Sequence, residues 1–184
     1  MRERWLMRKT VLLTGSTVVL VVLLTSSVVA FGAGSVWFAF LVVWLPKAWL
    51  GTISRLVTLR LPEGWFELRA FERDGRLYER LGVRLIKGLL RRGPFAVFNP
   101  GLHLPAEHTA VNLGALERRM REAEASHSIL FVAMFAVAAC EAVAGWWSAA
   151  GWITLFNVFV NGYPVMLQRY NRALLHQRFG MPTG

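Results

Sequence analysis

Four stretches of this chain carry almost no charge, and the rest is dense with it. Residues 11–31 run for twenty-one positions without an ionisable side chain. Residues 36–50 form a second apolar run, with Pro46 and Lys47 near its end. Residues 129–145 form a third, which holds Glu141, and residues 152–167 a fourth, which holds Asn157, Asn161, Gly162 and Pro164. A helix rises about 1.5 Å per residue, so about twenty apolar residues cross a hydrocarbon core of roughly 30 Å. The pattern predicts two helical hairpins, 11–31 with 36–50 and 129–145 with 152–167. Pro46 predicts a kink in the second run, with Lys47 reaching back to the interface. Val28-Val29-Ala30 resembles a signal-peptide cleavage site, but the apolar stretch exceeds a usual signal core, so an uncleaved membrane helix is expected.

Residues 51–126 are different in character. They hold thirteen of the 21 Lys and Arg and are punctuated by Pro62, Gly64, Pro94, Pro100, Gly101 and Pro105. Residues 77–92, "LYERLGVRLIKGLLRR", predict an amphipathic helix. Arg76, Arg80, Arg84, Lys87 and Arg91 make a basic stripe at helical spacing, and Leu77, Leu81, Leu85 and Leu89 an apolar one. Such a helix suits the headgroup plane of a membrane. The stripe has three readings at this point: a solvated face, a site for anionic lipid, or a site for the phosphates of a carrier such as coenzyme A. Asn112 is positioned to cap a further helix, which Glu117–Arg121 and Arg118–Glu122 support as pairs four residues apart. Residues 168–184 read as a basic tail.

Composition supports a membrane protein. The chain is 184 residues long, 55% hydrophobic with mean hydropathy +0.42, and has eight Trp. These values exceed those of an ordinary soluble domain. Length predicts one domain, so the fold expected over 1–184 is an all-α integral membrane protein of about four membrane helices with interfacial helices between them. A net charge of +10 fits an anionic membrane face or an anionic substrate; the basic groups track the ends of the apolar runs, and no nucleic-acid-binding motif is present. The N-terminus, central region and tail hold all the Lys and Arg except Lys47, so the positive-inside rule predicts that both termini and residues 51–126 face the cytoplasm. Cys140 is the single cysteine, which excludes an internal disulfide. His103 and His108 are poorly spaced for zinc, and no metal site is expected.

Polar groups at the ends of apolar runs carry the candidate chemistry. At helical spacing, Asn157, Asn161, Pro164, Gln168 and Asn171 or Arg172 share one face. That face serves either interhelical hydrogen bonds or a polar pocket at the lipid–water boundary. His127 enters the third run with Glu124 one turn earlier, a spacing that allows a carboxylate to orient an imidazole base. Glu141 lies near the opposite end, beside Trp146, and is left outside the site. No phosphate-binding loop, dinucleotide glycine pattern or nucleophile elbow is present, which favours direct transfer between two bound substrates over a covalent intermediate.

Three blocks of this chain resemble the glycosyl-4,4'-diaponeurosporenoate acyltransferases, small membrane proteins of carotenoid biosynthesis. "FERDGRLYERLGVRLIK" at 71–87 is similar to the family's F-E-x-x-G-x-x-Y/W and following basic element. "ERRMREAEASH" at 117–127 is similar to E-x-x-R-A-E-x-x-H-W, and "NGYPVMLQRYNR" at 161–172 to N-x-P-x-x-x-Q-R-Y-N-R-P-R. Ile86 and Ser128 stand where the family has Trp, and Ala173-Leu174 where it has Pro-Arg. The resemblance implies transfer of a fatty acyl group from a thioester donor, acyl-CoA or acyl carrier protein, to a sugar hydroxyl of a glycosyl carotenoid, without a cofactor. His127 would be the base, Glu124 its orienting partner, and Gln168, Arg169 or Asn171 the oxyanion donor. Asn161 would orient the sugar, Arg84 and Lys87 would attract the donor's phosphates, and Glu72 and Tyr78 would hold the sugar or brace the pocket. Tyr170 and Arg172 complete the substrate-binding set. The alternatives are an acyltransferase or other group transferase acting on a different glycolipid, and a non-catalytic membrane subunit.

Overall fold

The structure is a computed structural model that describes residues 2–54, 56–57, 59, 61–92 and 106–180. All regular elements among them are helical. They are α1 (Arg2–Phe31), α2 (Val36–Ile53), α3 (Glu63–Phe66), a 3-10 turn (Ala70–Glu72), α4 (Arg76–Arg80), α5 (Val83–Arg92), α6 (Ala110–Val143), α7 (Trp147–Asn157), a π-helical turn (Val158–Gly162) and α8 (Tyr163–Phe179). Among the described residues, four helical runs are long and apolar enough to cross a membrane: Glu3–Phe31, Val36–Ile53, Ala110–Val143 and Trp147–Phe179. The all-α membrane fold expected from the sequence is therefore the observed one.

The chain divides into two compact units, each assembled from separated segments. One comprises Met1–Leu59 with Ser128–Asn161. Its core is Phe38, Ala39, Val42 and Val43 of α2, Met134 and Ala138 of α6 and Ile153 of α7. Ala39 and Ile153 are fully buried, and the small alanines let helices approach closely. Ser35 starts α2 by accepting the amide of Phe38 at 3.1 Å. Asn157 donates to the Phe131 carbonyl at 2.8 Å, and Asn161 donates to Asn157 Oδ1 at 2.9 Å. In hydrocarbon such bonds keep amides from standing unpaired. Val18, Val21, Val22 and Val29 of α1 are exposed, which suits a helix that meets lipid.

The second unit comprises Arg60–His127 with Gly162–Gly184, and α8 is its central element. Leu167 and Tyr170 of α8 pack on Tyr78 and Val83. Leu175 packs on Leu113, Leu116 and Met120 of α6, which recur at the three- and four-residue spacing of one helix face.

Several boundaries differ from the sequence reading, each for a local reason. The helix expected over 77–92 is two helices, because Gly82 adopts φ +76° between them. Asn112 lies inside α6; Thr109 caps it instead, its hydroxyl accepting the Asn112 amide at 3.3 Å. Residues 168–179 are helical rather than a tail. Pro164 lacks the amide that would bond Val160, and the π turn just before it absorbs that loss. The 3.6-residue count from Asn157 to Gln168 is thereby interrupted.

Gly75, at φ +71°, turns the chain from the 3-10 turn into α4. A Cβ there would stand 3.1 Å from Cε2 of Tyr170. Gly75→Ala is expected to cost about 1–2 kcal/mol or more from the left-handed backbone and this crowding together. Gly82→Ala carries the backbone cost alone, since no atom lies within 4 Å of its added Cβ. Unfolding midpoints in detergent should rank wild type, then Gly82→Ala, then Gly75→Ala.

Candidate active site

The 3-10 turn folds the Glu72 carboxylate back onto the Arg69 amide, with Oε2 accepting at 2.8 Å. The turn at Gly75 then brings buried Tyr78 round so that its hydroxyl donates to Glu72 Oε1. Arg169 of α8 meets this pair as a fork: Nε donates to Glu72 Oε1 at 2.8 Å and Nη2 to Glu72 Oε2 at 2.8 Å. Its Nη1 donates to Glu124 Oε1 of α6 at 2.7 Å and to the Trp65 carbonyl at 2.9 Å, while Nη2 also reaches the Glu67 carbonyl at 2.9 Å. All five N–H groups of a guanidinium are thus engaged. One side chain ties together the blocks 71–87, 117–127 and 161–172.

Arg172 extends the network one turn along α8. It is 1% exposed and donates to Glu124 Oε2 at 2.9 Å and to the Phe66 carbonyl. Its Nε lies 3.6 Å from Glu117 Oε1, which also receives Arg121 at 3.0 Å and contacts His176 Nε2 at 3.0 Å. Arg121 reaches on to Glu63 at 2.9 Å. Three buried carboxylates, Glu72, Glu117 and Glu124, therefore alternate with Arg169, Arg172 and Arg121. Burial of charge is tolerated here because each is matched and hydrogen-bonded.

Burial raises the Glu72 carboxyl, but the hydrogen bonds from Arg169, Tyr78 and the Arg69 amide outweigh it, bringing the pKa from 4.5 to about 2. Burial and the adjacent Glu72 raise the Tyr78 phenol, so the proton stays on the tyrosine that donates it. A carboxyl depressed on folding contributes stability that is complete above its unfolded pKa and is lost as pH falls from about 4.5 toward 2. At most about 3 kcal/mol is at stake. Acid unfolding followed by tryptophan fluorescence should show this loss below pH 4.5, and Glu72→Gln should flatten that limb.

The residues singled out from the sequence fall into distinct places. Glu72, Tyr78, Glu124, Arg169 and Arg172 form the network. Both Glu124 oxygens accept from guanidiniums. His127 is half-buried, one turn along α6 from Glu124. Lys87, Asn171 and Tyr170 form a neighbouring group: Lys87 donates to Asn171 Oδ1 at 2.7 Å and lies 5.2 Å over the Tyr170 ring. Tyr170 donates to Glu79 at 2.9 Å, and the exposed Arg84 stands 3.8 Å from the same carboxylate. Gln168 is 4% exposed, and its Oε1 has no hydrogen-bond partner. Asn161 belongs to the other unit, where it bonds Asn157. His108 packs on Phe179 at 5.0 Å between ring centres, while His103 lies outside the described residues. Glu117 and His176 were not singled out as site residues. Glu117 lies seven residues before Glu124, and His176 seven after Arg169; that two-turn repeat places each pair on one helix face and was the available signal.

The family model of CrtO, glycosyl-4,4'-diaponeurosporenoate acyltransferase, matches residues 62–179. That span includes all three blocks and excludes α1 and α2, where the sequence carries no matching motif. No curated protein and no solved structure gives a match.

Proposed function

This chain belongs to the glycosyl-4,4'-diaponeurosporenoate acyltransferase family, whose members are acyltransferases, and from that premise we propose that it moves a fatty acyl group from a thioester donor to a sugar hydroxyl of a glycosyl carotenoid. His127 takes the hydroxyl proton as the sugar oxygen attacks the thioester carbonyl carbon. A tetrahedral oxyanion forms and collapses. The carbon–sulfur bond breaks, the ester remains on the sugar, and the imidazolium returns its proton to the departing thiolate.

The oxyanion needs a fixed donor, a role worth a few kcal/mol in a dry site. Asn171 fits this role because Lys87 holds its Oδ1, which leaves the amide N–H₂ as the group it offers. Gln168, with its own amide N–H₂, is the other candidate. Arg169 has spent its five donors within the protein, so its role is to position Glu124, Glu72 and the segments that carry them. The observation that supports this reading most is that single guanidinium, which joins all three motif blocks of an acyltransferase family. Lys and Arg flank the membrane helices on one side only, which supports a cytoplasmic site and a donor arriving from the cytoplasm.

Purified protein in detergent, given a glucosyl carotenoid and a long-chain acyl-CoA or acyl carrier protein, should yield a product heavier by one acyl chain in mass spectrometry. A product formed only on a different glycolipid would overturn the carotenoid assignment. No product from folded protein with any of these donors and acceptors would overturn the catalytic one.

A further inference from the structure

An Arg–Leu pair recurs every four residues at 76–77, 80–81 and 84–85. All six side chains face out. Arg76 and Arg84 side chains are 79% and 71% exposed, Arg80 is exposed, and Leu77, Leu81 and Leu85 are 36%, 46% and 80% exposed. The other side of α4 and α5 is already used, since Tyr78 and Val83 are buried against Leu167 and Tyr170. Two carboxylates lie near the row, Asp74 at 3.7 Å from Arg76 and Glu79 at 3.8 Å from Arg84, both too loose and too exposed to neutralise it firmly.

We infer that this row docks the α4–α5 segment on the membrane surface by binding anionic lipid headgroups. Three leucines four residues apart offer apolar area to the acyl boundary, and the arginine beside each offers a guanidinium to a lipid phosphate just above it. Charge alone would suit a soluble acidic partner equally. The pairing of every arginine with an exposed leucine favours an interface that is apolar on one side and anionic on the other, which a membrane surface offers, and among the described residues the chain has four helices of membrane length. Gly82 serves the same end. Its left-handed φ of +76° separates α4 from α5 and lets two short helices follow a flat surface without one rigid axis. The inference is independent of the acyl-transfer reading.

The test is local, because the membrane helices anchor the protein whatever this row does. An environment-sensitive fluorophore is attached at Leu85→Cys in a Cys140→Ala background, and the full chain is placed in nanodiscs. One set contains phosphatidylcholine alone, the other a mixture with phosphatidylglycerol. In the mixture, the emission should shift to the blue and acrylamide quenching should fall several-fold. Both effects should weaken at high salt and disappear in Arg76→Gln/Arg80→Gln/Arg84→Gln. Equal quenching in the two bilayers would overturn the inference. So would protection that ignores the arginine substitutions, or protection that requires an added acidic carrier protein.

Discussion

Arg169→Met should destabilise the protein by about 3–5 kcal/mol, because it takes a guanidinium from two buried carboxylates at once rather than removing one contact, and leaves Glu72 without a cationic partner. Glu72 and Glu124 lose their bonds at 2.7–2.8 Å, and the carbonyls of Trp65 and Glu67 lose donors as well. Arg169→Lys should recover only part of this. A lysine carries the charge but has three donors on a single nitrogen, and it cannot serve acceptors on three sides of a planar fork. Denaturant unfolding in detergent measures both. The discriminating variant is Arg169→Met/Glu72→Gln, in which the Glu72 charge no longer needs a partner. It should be more stable than Arg169→Met alone, with a coupling in the range of about 0.5–3 kcal/mol that networked groups show. Additive losses, or a single-variant cost below about 1 kcal/mol, would mean that the fork does not hold the three blocks together.

His127→Gln should do the opposite. It should leave the unfolding midpoint near wild type and lower turnover by roughly 10²–10⁴-fold, the range that general-base groups supply. Gln keeps a polar side chain of similar reach but has no imidazole, so the proposed proton transfer between sugar and thiolate would be lost. The two variants therefore separate a structural loss at Arg169 from the chemical loss expected at His127 if it is the proposed base. Normal turnover in folded His127→Gln protein would move the proton acceptor to another residue.

The sequence made the membrane helices legible because long apolar runs with at most one charge have few other uses. It was less informative where two structures share one pattern. The stripe over 76–91 obeys helical spacing with or without a break, and only the left-handed turn at Gly82 decides that it breaks. Residues 168–179 are polar enough to read as a tail, yet they fold as part of α8 because Arg169, Arg172 and His176 are paired inside the unit rather than solvated. Glu124 shows the same limit at the site. On its own helix the visible partner is His127, three residues on, whereas Arg169 and Arg172 are 45 and 48 residues away in the chain. A family motif carries the identities across that distance but not the pairing.

Those separations also set an order of events during synthesis. Glu72 enters the chain 97 residues before Arg169, and the Phe66 carbonyl 106 residues before Arg172. At about 5–20 residues per second, Glu72 waits roughly 5–20 s for its guanidinium. Until then Glu72, Glu117 and Glu124 lack the guanidiniums of Arg169 and Arg172, and water takes those places. The second unit is therefore a late product of biosynthesis, completed only when the helix that begins at Tyr163 emerges and displaces that water.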